Sequence, residues 1–214
     1  MASGTYTTLV SDIQKWAQRS DDEFIATIPR FIEMAENILA RDAKVLGYEK
    51  YVTSALQTGV PVYGKPDRWR RTISIKIGIG EGNNTNKFLY PRDKTFIETY
   101  WPTVNETDEP EYYGDAGYYN ILIGPTPDAD YPYQWAYYER PEPLSTQVQQ
   151  NWNTDFIYDV LLATCMLQAT PYLKDFSIVP QWEKLFQQYI QASSLEDFRR
   201  TLDRTEGEQS KGGN

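Results

Sequence analysis

The fold is decided late in the chain by FIYDVLLATCMLQATPYL, residues 156–173, in which polar side chains are sparse. A helix with this sequence is apolar around nearly its whole circumference, which is typical of a helix at the centre of a core. We therefore predict a central helix over residues 154–173. The polar residues 206–214 that follow later cannot bury enough apolar surface to order by themselves, so a flexible segment is expected there.

Helical periodicity also marks both sides of the chain. Apolar residues recur at helical spacing in residues 9–17 and along residues 24–39. Pro29 is expected to kink the second of these helices or to restart it, because proline removes a backbone donor. Residues 180–202 repeat the helical pattern. We therefore expect the N-terminal and C-terminal helices to pack together as a four-helix bundle.

The middle of the chain has the alternation of β-strands. Ile73, Ile75, Ile77 and Ile79 alternate with polar residues or glycine, as a half-buried strand requires. Further strands are predicted around residues 87–90, 95–101, 119–123 and 133–140. The predicted class is α+β, with an N-terminal helical part at 1–47, an inserted antiparallel β lobe at 48–143, a C-terminal helical part at 144–204 that packs with the first, and a flexible tail at 205–214.

The composition argues against an enzyme. The 214 residues include no histidine, which removes the commonest catalytic base and metal ligand near neutral pH. The single cysteine, Cys165, lies in an apolar run and is expected to fill the core rather than to react. We therefore expect no catalytic residue, no bound metal and no cofactor.

Charge and hydropathy restrict the partners of the chain. Its net charge of -9 repels nucleic-acid phosphates, so sequence-specific DNA binding is not expected. No apolar run approaches the about 20 residues that span a bilayer. Residues 1–6 lack the basic and apolar character of a signal peptide. We expect a protein that is made in the cytoplasm and has no membrane attachment.

Three polar motifs resemble chemical sites, and each has a simpler structural interpretation. The glycines of residues 78–82 resemble a phosphate-binding loop, but the next residues lead back to a strand, so a hairpin turn is favoured. Asp128 and Asp130 lack the later ligands of a calcium loop. An acidic run suits the two-carboxylate chemistry of glycoside hydrolysis but is favoured as a solvated loop. This run contains Glu106, Asp108, Glu109 and Glu111.

Aromatic residues are frequent, with 17 tyrosines, 6 tryptophans and 8 phenylalanines, and many are adjacent at residues 112–113, 118–119 and 131–138. Tyrosine suits surfaces that become buried on contact, which favours a protein interface or a sugar platform. Cross-strand packing in a sheet core is the alternative. The one basic cluster, residues 68–71, is interpreted as a salt-bridged strand with Trp69 in the core, or as a phosphate or partner contact.

Three segments together resemble the head-to-tail adaptor, or connector, proteins of tailed bacteriophages. The first is DEF at residues 22–24 followed by IPRFIEMAE at residues 28–36. The second is YYERP at residues 137–141 leading to Leu144 and Ser145, and the third is residues 153–175. The three segments are distinctive jointly, and the resemblance covers nearly the whole chain.

The resemblance implies a non-enzymatic virion protein of the head-tail interface, made in the host cytoplasm. Such a protein binds beneath the portal, is monomeric alone, and forms a ring of about twelve copies by cyclic symmetry. It offers a docking surface to a tail or nozzle protein, and it lines a channel through which DNA passes without sequence-specific binding. Portal contacts are expected from Phe198, Arg199, Arg200, Leu202 and Arg204. Inter-subunit or tail contacts are expected from Arg70, Tyr112, Tyr113 and Tyr131.

Two other functions stay open at the level of sequence. A carbohydrate-binding module would use an exposed platform of aromatic rings, and glycan binding lost on aromatic-to-alanine changes would favour it. That platform would comprise Trp101, Tyr112, Tyr113 and Trp135. A histidine-free glycosidase would instead lose its hydrolysis on a single carboxylate-to-amide change.

Overall fold

The structure, a computed structural model, describes residues 4–42, 46–78 and 86–209, and within them the side chains outside residues 42, 46, 194 and 196–209. The chain divides into two compact units. A helical unit comprises the chain up to Tyr48 and from Pro141 onward, and a sheet unit comprises Glu49–Arg140.

The described residues form six α-helices and nine β-strands. The helices are α1 Tyr6–Ala17, α2 Asp22–Asp42, α3 Lys94–Tyr100, α4 Trp152–Phe156, α5 Tyr158–Leu173 and α6 Val179–Gln209. The strands are β1 Glu49–Leu56, β2 Val62–Gly64, β3 Trp69–Ile77, β4 Lys87–Pro91, β5 Thr107–Asp108, β6 Tyr112–Asp115, β7 Asn120–Gly124, β8 Thr126–Pro127 and β9 Tyr131–Glu139. Two short 3₁₀ helices are Leu46–Tyr48 and Phe176–Ile178.

Helix α5 is the centre of the helical unit, and α1, α2 and α6 all pack against it. Leu161, Cys165 and Met166 have no exposed surface, because the helix carries no continuous polar stripe. The hydroxyls of Thr164 and Thr170 donate to backbone carbonyls one turn earlier, so burial leaves neither hydroxyl without a partner. The prediction of a central helix is confirmed for residues 158–173.

Three hydrogen bonds hold the chain where it returns to the helical unit. The Glu36 carboxylate of α2 accepts hydrogen bonds from the Leu144 backbone N–H at 3.1 Å and from Asn151 Nδ2 at 2.6 Å. Asn151 also caps α4 through its side-chain oxygen. The Tyr48 hydroxyl donates to the buried Asn153. Burial raises the pKa of Glu36 above its ordinary value, because desolvation outweighs these hydrogen bonds.

The sheet unit is built on a mixed seven-stranded sheet in the order β1-β9-β3-β4-β6-β7-β2. Most neighbours are antiparallel, but β4 and β6 run parallel, with Tyr90 opposite Tyr112. Strands β5 and β8 form a second, parallel pair. One face of the main sheet buries its own core, separate from that of the helices. This core includes Leu56, Ile75, Ile77, Leu89, Ile121, Ile123 and Trp135.

The predicted architecture needs correction, although the α+β class agrees with the structure. A four-helix bundle with an inserted antiparallel lobe was wrong, because the described residues form six helices and a mixed seven-stranded sheet. Ile157 is outside the helical region of backbone angles and separates α4 from α5, where one helix was predicted. The strand predicted at 95–101 is helix α3, and α2 continues through Pro29 without restarting.

The beginning of the predicted tail is also corrected. Helix α6 continues to Gln209, so residues 205–209 of the predicted flexible tail are helical. Residues 210–214 lie outside the described residues, as does Ile79 with the rest of the glycine-loop motif after Gly78. In the described part of the chain, every helix is too short or too polar to cross a membrane.

Candidate interaction surface

A partly exposed group of aromatic rings lies beside helix α3, which packs against β6 and β7. We call this group the aromatic patch, and it comprises Tyr90, Phe96, Tyr100, Trp101 and Tyr112. Side chains alternate between the two faces of a strand. Leu89 is buried in the sheet core, so the next residue, Tyr90, points outward. Phe96 and Tyr100 are one helical turn apart on α3, which brings them to the same side of that helix.

The rings of the aromatic patch contact one another in a continuous series. The centroid of Phe96 lies 4.6 Å from that of Tyr100 and 5.6 Å from that of Tyr112. Tyr112 continues the series to Trp101, at 5.7 Å, and to Tyr90, at 6.5 Å. The Arg92 guanidinium lies 5.5 Å from the Phe96 centroid. Such contacts hold the rings in place before any partner arrives.

Exposure distinguishes the aromatic patch from a core. Tyr90 and Tyr100 are 61% and 64% exposed, and Phe96, Trp101 and Tyr112 are half-buried. Lys94 and Glu98 form an ion pair at 3.2 Å on the same helix as Phe96 and Tyr100. Clustered aromatic rings that remain partly exposed are typical of a surface that binds another protein.

A second surface of the sheet unit is a cleft of about 250 Å³. Its lining is mostly basic and aromatic and contains one acidic residue: Lys65, Pro66, Asp67, Arg68, Trp69, Arg70, Tyr118, Tyr119 and Arg140. Lys65 Nζ lies 3.8 Å from the centroid of the Trp69 ring and 2.6 Å from Asp115 Oδ1. Tyr118 and Tyr119 are exposed, and their rings meet edge to face at 4.9 Å. We call this feature the basic cleft.

The structure does not bring together the four residues predicted to contact a subunit or the tail. Tyr112 belongs to the aromatic patch, and Arg70 lines the basic cleft. Tyr113 packs on the sheet core, where burial raises the pKa of its hydroxyl. Tyr131 also packs on the core, and its hydroxyl donates to Asp128 Oδ1 at 2.7 Å.

The residues predicted to contact the portal lie on helix α6, but their side chains are outside the described residues. They are Phe198, Arg199, Arg200, Leu202 and Arg204.

The carbohydrate platform predicted as an alternative is not formed. Trp135 is 1% exposed, and its indole N–H donates to Thr72 Oγ1 inside the sheet unit. Trp101 and Tyr112 do lie together, but they belong to the larger aromatic patch. A platform needs rings exposed on a common face, which a buried Trp135 cannot supply.

Residues of the other motifs form ion pairs or hydrogen bonds within the sheet unit, or are buried in the helical core. Lys87 Nζ lies 3.4 Å from Glu109 and 3.5 Å from Glu111, which places two carboxylates of the acidic run beside a lysine. Asp130 accepts hydrogen bonds from the backbone and hydroxyl of Thr58. Burial raises the pKa of Cys165, which keeps it a thiol. Among the residues in view, no cluster of three or more cysteine or acidic side chains is arranged to hold a metal ion.

Sequence reasoning missed most of the aromatic patch. The residues it missed are Tyr90, Phe96 and Tyr100. The spacing of Phe96 and Tyr100 gave no signal that distinguishes a helix from a strand, because residues four apart lie on the same side of either element. The prediction of a strand at 95–101 therefore placed these two rings on one face but hid the contact of Phe96 with Tyr112.

Comparison with known proteins agrees with the resemblance seen in the sequence. A search among curated proteins finds no match. The model of the family described as SU10 adaptor protein matches residues 4–208, which include both the helical unit and the sheet unit. Because the match covers nearly the whole chain, the family assignment does not depend on a single motif. The chain therefore belongs to the SU10 adaptor protein family and is a bacteriophage adaptor protein.

Proposed function

We propose that this adaptor forms a ring beneath the portal and presents the aromatic patch to a tail or nozzle protein. Family membership supplies the adaptor role. The aromatic patch is the observation that supports a docking surface, because its rings are already in mutual contact and yet Tyr100 is 64% exposed. Binding therefore buries a large area and orders few side chains, which reduces its entropic cost.

The portal contact is assigned to the last part of α6. This helix carries the apolar and basic residues Phe198, Arg199, Arg200, Leu202 and Arg204. A segment that combines apolar and basic residues in this way suits a groove with acidic groups at its margin. The net charge of -9 suits a protein past which DNA slides, because an acidic surface does not retain phosphates.

The double variant Tyr90→Ser, Tyr100→Ser tests the tail-docking surface. We expect its affinity for the tail or nozzle protein of the same phage to fall at least about tenfold, because truncation of an interface aromatic costs about 2 kcal/mol or more at a hot spot. Melting temperature and co-sedimentation with portal rings should not change. Pull-down of the purified tail protein on adaptor-portal complexes measures the effect.

Tyr51→Ser is the matched control for this experiment. Tyr51 is 63% exposed on β1, so it resembles Tyr100 in residue type and exposure. Wild-type tail binding by the double variant would reject the aromatic patch as the docking surface. An equal loss in Tyr51→Ser would show that the tail protein responds to any surface tyrosine, and would also reject the assignment.

A further inference from the structure

The two ends of the sheet unit carry opposite charges. Strands β3 and β7 start at one end and finish at the other, while β4 and β6 run in the reverse direction. The end where β3 and β7 start holds the basic cleft, with Lys65, Arg68, Arg70 and Arg140. The opposite end, which we call the acidic end, holds Glu106, Asp108, Glu109, Glu111, Asp128 and Asp130.

Hydrogen bonds fix both ends relative to β7. The Lys65 backbone N–H donates to the Tyr119 carbonyl just before β7 begins. The Glu111 backbone N–H donates to the Gly124 carbonyl where β7 finishes. At about 3.3 Å per residue, β7 separates the two ends by roughly 15 Å. Backbone hydrogen bonds therefore attach Lys65 and Glu111, one residue from each end, to the same strand.

The cations of the basic cleft differ in their partners. Lys65 pairs with Asp115, and Arg68 Nη2 lies 2.9 Å from Glu139 Oε1. Among the described residues, none forms an ion pair of 4.0 Å or less with Arg70 or Arg140, although Asp67 also lines the cleft. The four cations outnumber the carboxylates of Asp67, Asp115 and Glu139, so the cleft keeps a small excess of positive charge although the whole chain is acidic.

A β-bulge places Arg70 in the cleft. The pairing of β3 with β9 shifts register between Trp69 and Arg71, which leaves Arg70 without a partner residue on β9. Bulges of this kind redirect a side chain that would otherwise follow the alternation of the strand. At the margin of the cleft, Tyr118 and Tyr119 are 72% and 76% exposed. Arginine beside exposed tyrosine suits an acidic segment of a protein.

The acidic end has the complementary character. Its carboxylates are close enough together to act on Tyr131, whose pKa is raised by burial first and then by Asp128, Glu109 and Asp108. Lys87 is the cation that pairs with carboxylates of the run, namely Glu109 and Glu111. One lysine cannot neutralise this group, so the acidic end stays negative.

We propose that the basic cleft of one adaptor receives the acidic end of a neighbouring copy, in a head-to-tail contact between sheet units. The proposal rests on the proposed ring, in which each copy has two neighbours. Contacts between two different surfaces of the same chain generate rings when the rotation closes. Copies with a net charge of -9 repel one another, so a lateral contact needs a local pairing of opposite charges such as this one.

Cross-linking tests the contact directly. In the variant Tyr119→Cys, Glu109→Cys, each chain carries one thiol at the basic cleft and one at the acidic end. After assembly on portal rings of the same phage, a short thiol-reactive cross-linker should yield a ladder of dimers, trimers and larger species. Each single-cysteine variant should give no cross-linked dimer or larger species. The native Cys165 is buried and does not compete.

Charge reversal supplies an independent measurement. Arg70→Glu with Arg140→Glu should lower the number of adaptors per portal ring by at least about tenfold at low adaptor concentration, as should Glu106→Lys with Glu109→Lys. The combination of all four changes restores opposite charges across the contact and should restore assembly. A matched control for the cysteine pair is Tyr51→Cys with Glu109→Cys, which should give no ladder.

The outcomes separate this inference from the proposed function. Full co-sedimentation with the portal and no ladder would overturn the head-to-tail contact and leave portal docking intact, whereas no co-sedimentation by the wild type would refute docking itself. Dimers from a single-cysteine variant would indicate a symmetric contact and would overturn the proposal. Loss of binding to a DNA duplex on Arg70→Glu, Arg140→Glu, with an unchanged ladder from the cysteine pair in that background, would assign the cleft to DNA instead.

Discussion

The carboxylate of Glu36 joins two distant parts of the helical unit. It accepts hydrogen bonds from the Leu144 backbone and from Asn151, which in turn caps α4. Both carboxylate oxygens are used, so neither donor has a simple substitute. The burial that strengthens these hydrogen bonds also disfavours the charged form, which is why the pKa of Glu36 is raised.

Glu36→Gln should change both the size and the pH dependence of stability. The amide presents an N–H₂ group to one of the two donors, which should cost about 1 to 3 kcal/mol at low pH. The pKa of Glu36 is higher in the folded state than in the unfolded state. Glu36 therefore stabilises the wild type fully at a pH below its unfolded-state pKa, and this stabilisation is lost as the pH rises through its folded-state pKa. The variant cannot titrate here, so the stability difference should narrow as pH rises.

Urea unfolding of both proteins from about pH 4 to about pH 8 measures this difference. Glu33→Gln is the control, because Glu33 is exposed on the same helix and pairs with Arg30 at 3.2 Å. A stability difference that stays constant over this pH range would contradict the assigned role of Glu36.

At the scale of elements, helix α3 lies against two glycines of the sheet. A Cβ on Gly114 would meet the Arg92 carbonyl oxygen at 2.5 Å, and one on Gly124 would collide with the Ile97 side chain. Ile97 is the buried residue of α3, so the glycines allow the helix to approach β6 and β7 closely. This approach determines where Phe96 and Tyr100 stand in the aromatic patch.

Gly114→Ala should destabilise the sheet unit by about 1 to 3 kcal/mol, because the added methyl group meets a backbone oxygen that cannot move aside easily. The matched control is Gly64→Ala on β2, where a Cβ would have open space. Thermal unfolding of the two variants gives the comparison. Equal melting temperatures for Gly114→Ala and the wild type would show that α3 does not pack in the described position.

The sequence predicts elements best where one burial pattern determines them. Ile75 and Ile77 alternate inward on β3, and this strand was predicted because the sheet core covers only one face. Residues 95–101 are rich in β-branched and aromatic side chains, so local propensity indicated a strand. The helix forms there because Ile97 then packs over Gly114. This contact joins residues far apart in the chain, so local propensity does not predict it.

The candidate surfaces were predictable only in part for the same reason. Adjacent tyrosines indicated an interface, and Tyr112 does lie in the aromatic patch. The sequence gives no sign that Trp135 is buried while Trp101 is not, because both occur in aromatic-rich segments. The β-bulge at Arg70 depends on the pairing of two strands far apart in the chain, which no local pattern reveals.

At the scale of the whole molecule, the proposed assembly depends on charge. With a net charge of -9, free copies repel one another, so we expect a monomer in solution and a ring of about twelve copies on the portal. Deletion of residues 195–214 should leave the melting temperature unchanged and abolish portal co-sedimentation, because the proposed portal contact lies on the last part of α6. Light scattering with and without portal rings measures both states.

Two results would contradict this prediction. A stable dimer that does not bind added portal rings would be inconsistent with assembly by docking. Unchanged co-sedimentation of the truncated protein would remove the end of α6 as the portal contact, and a lower melting temperature would make that segment part of the helical core.

The division of the helical unit into two stretches also sets an order of events during synthesis. Helices α1 and α2 leave the ribosome before the sheet unit, yet the surface they pack on belongs to α5. At about 5 to 20 residues per second, α5 follows α2 by roughly ten seconds. Throughout this interval Phe24 and Ile28, which are fully covered in the finished protein, have no native partner on α5. The contiguous sheet unit is complete first, so the nascent chain is most open to chaperones and to aggregation at its N-terminal helices.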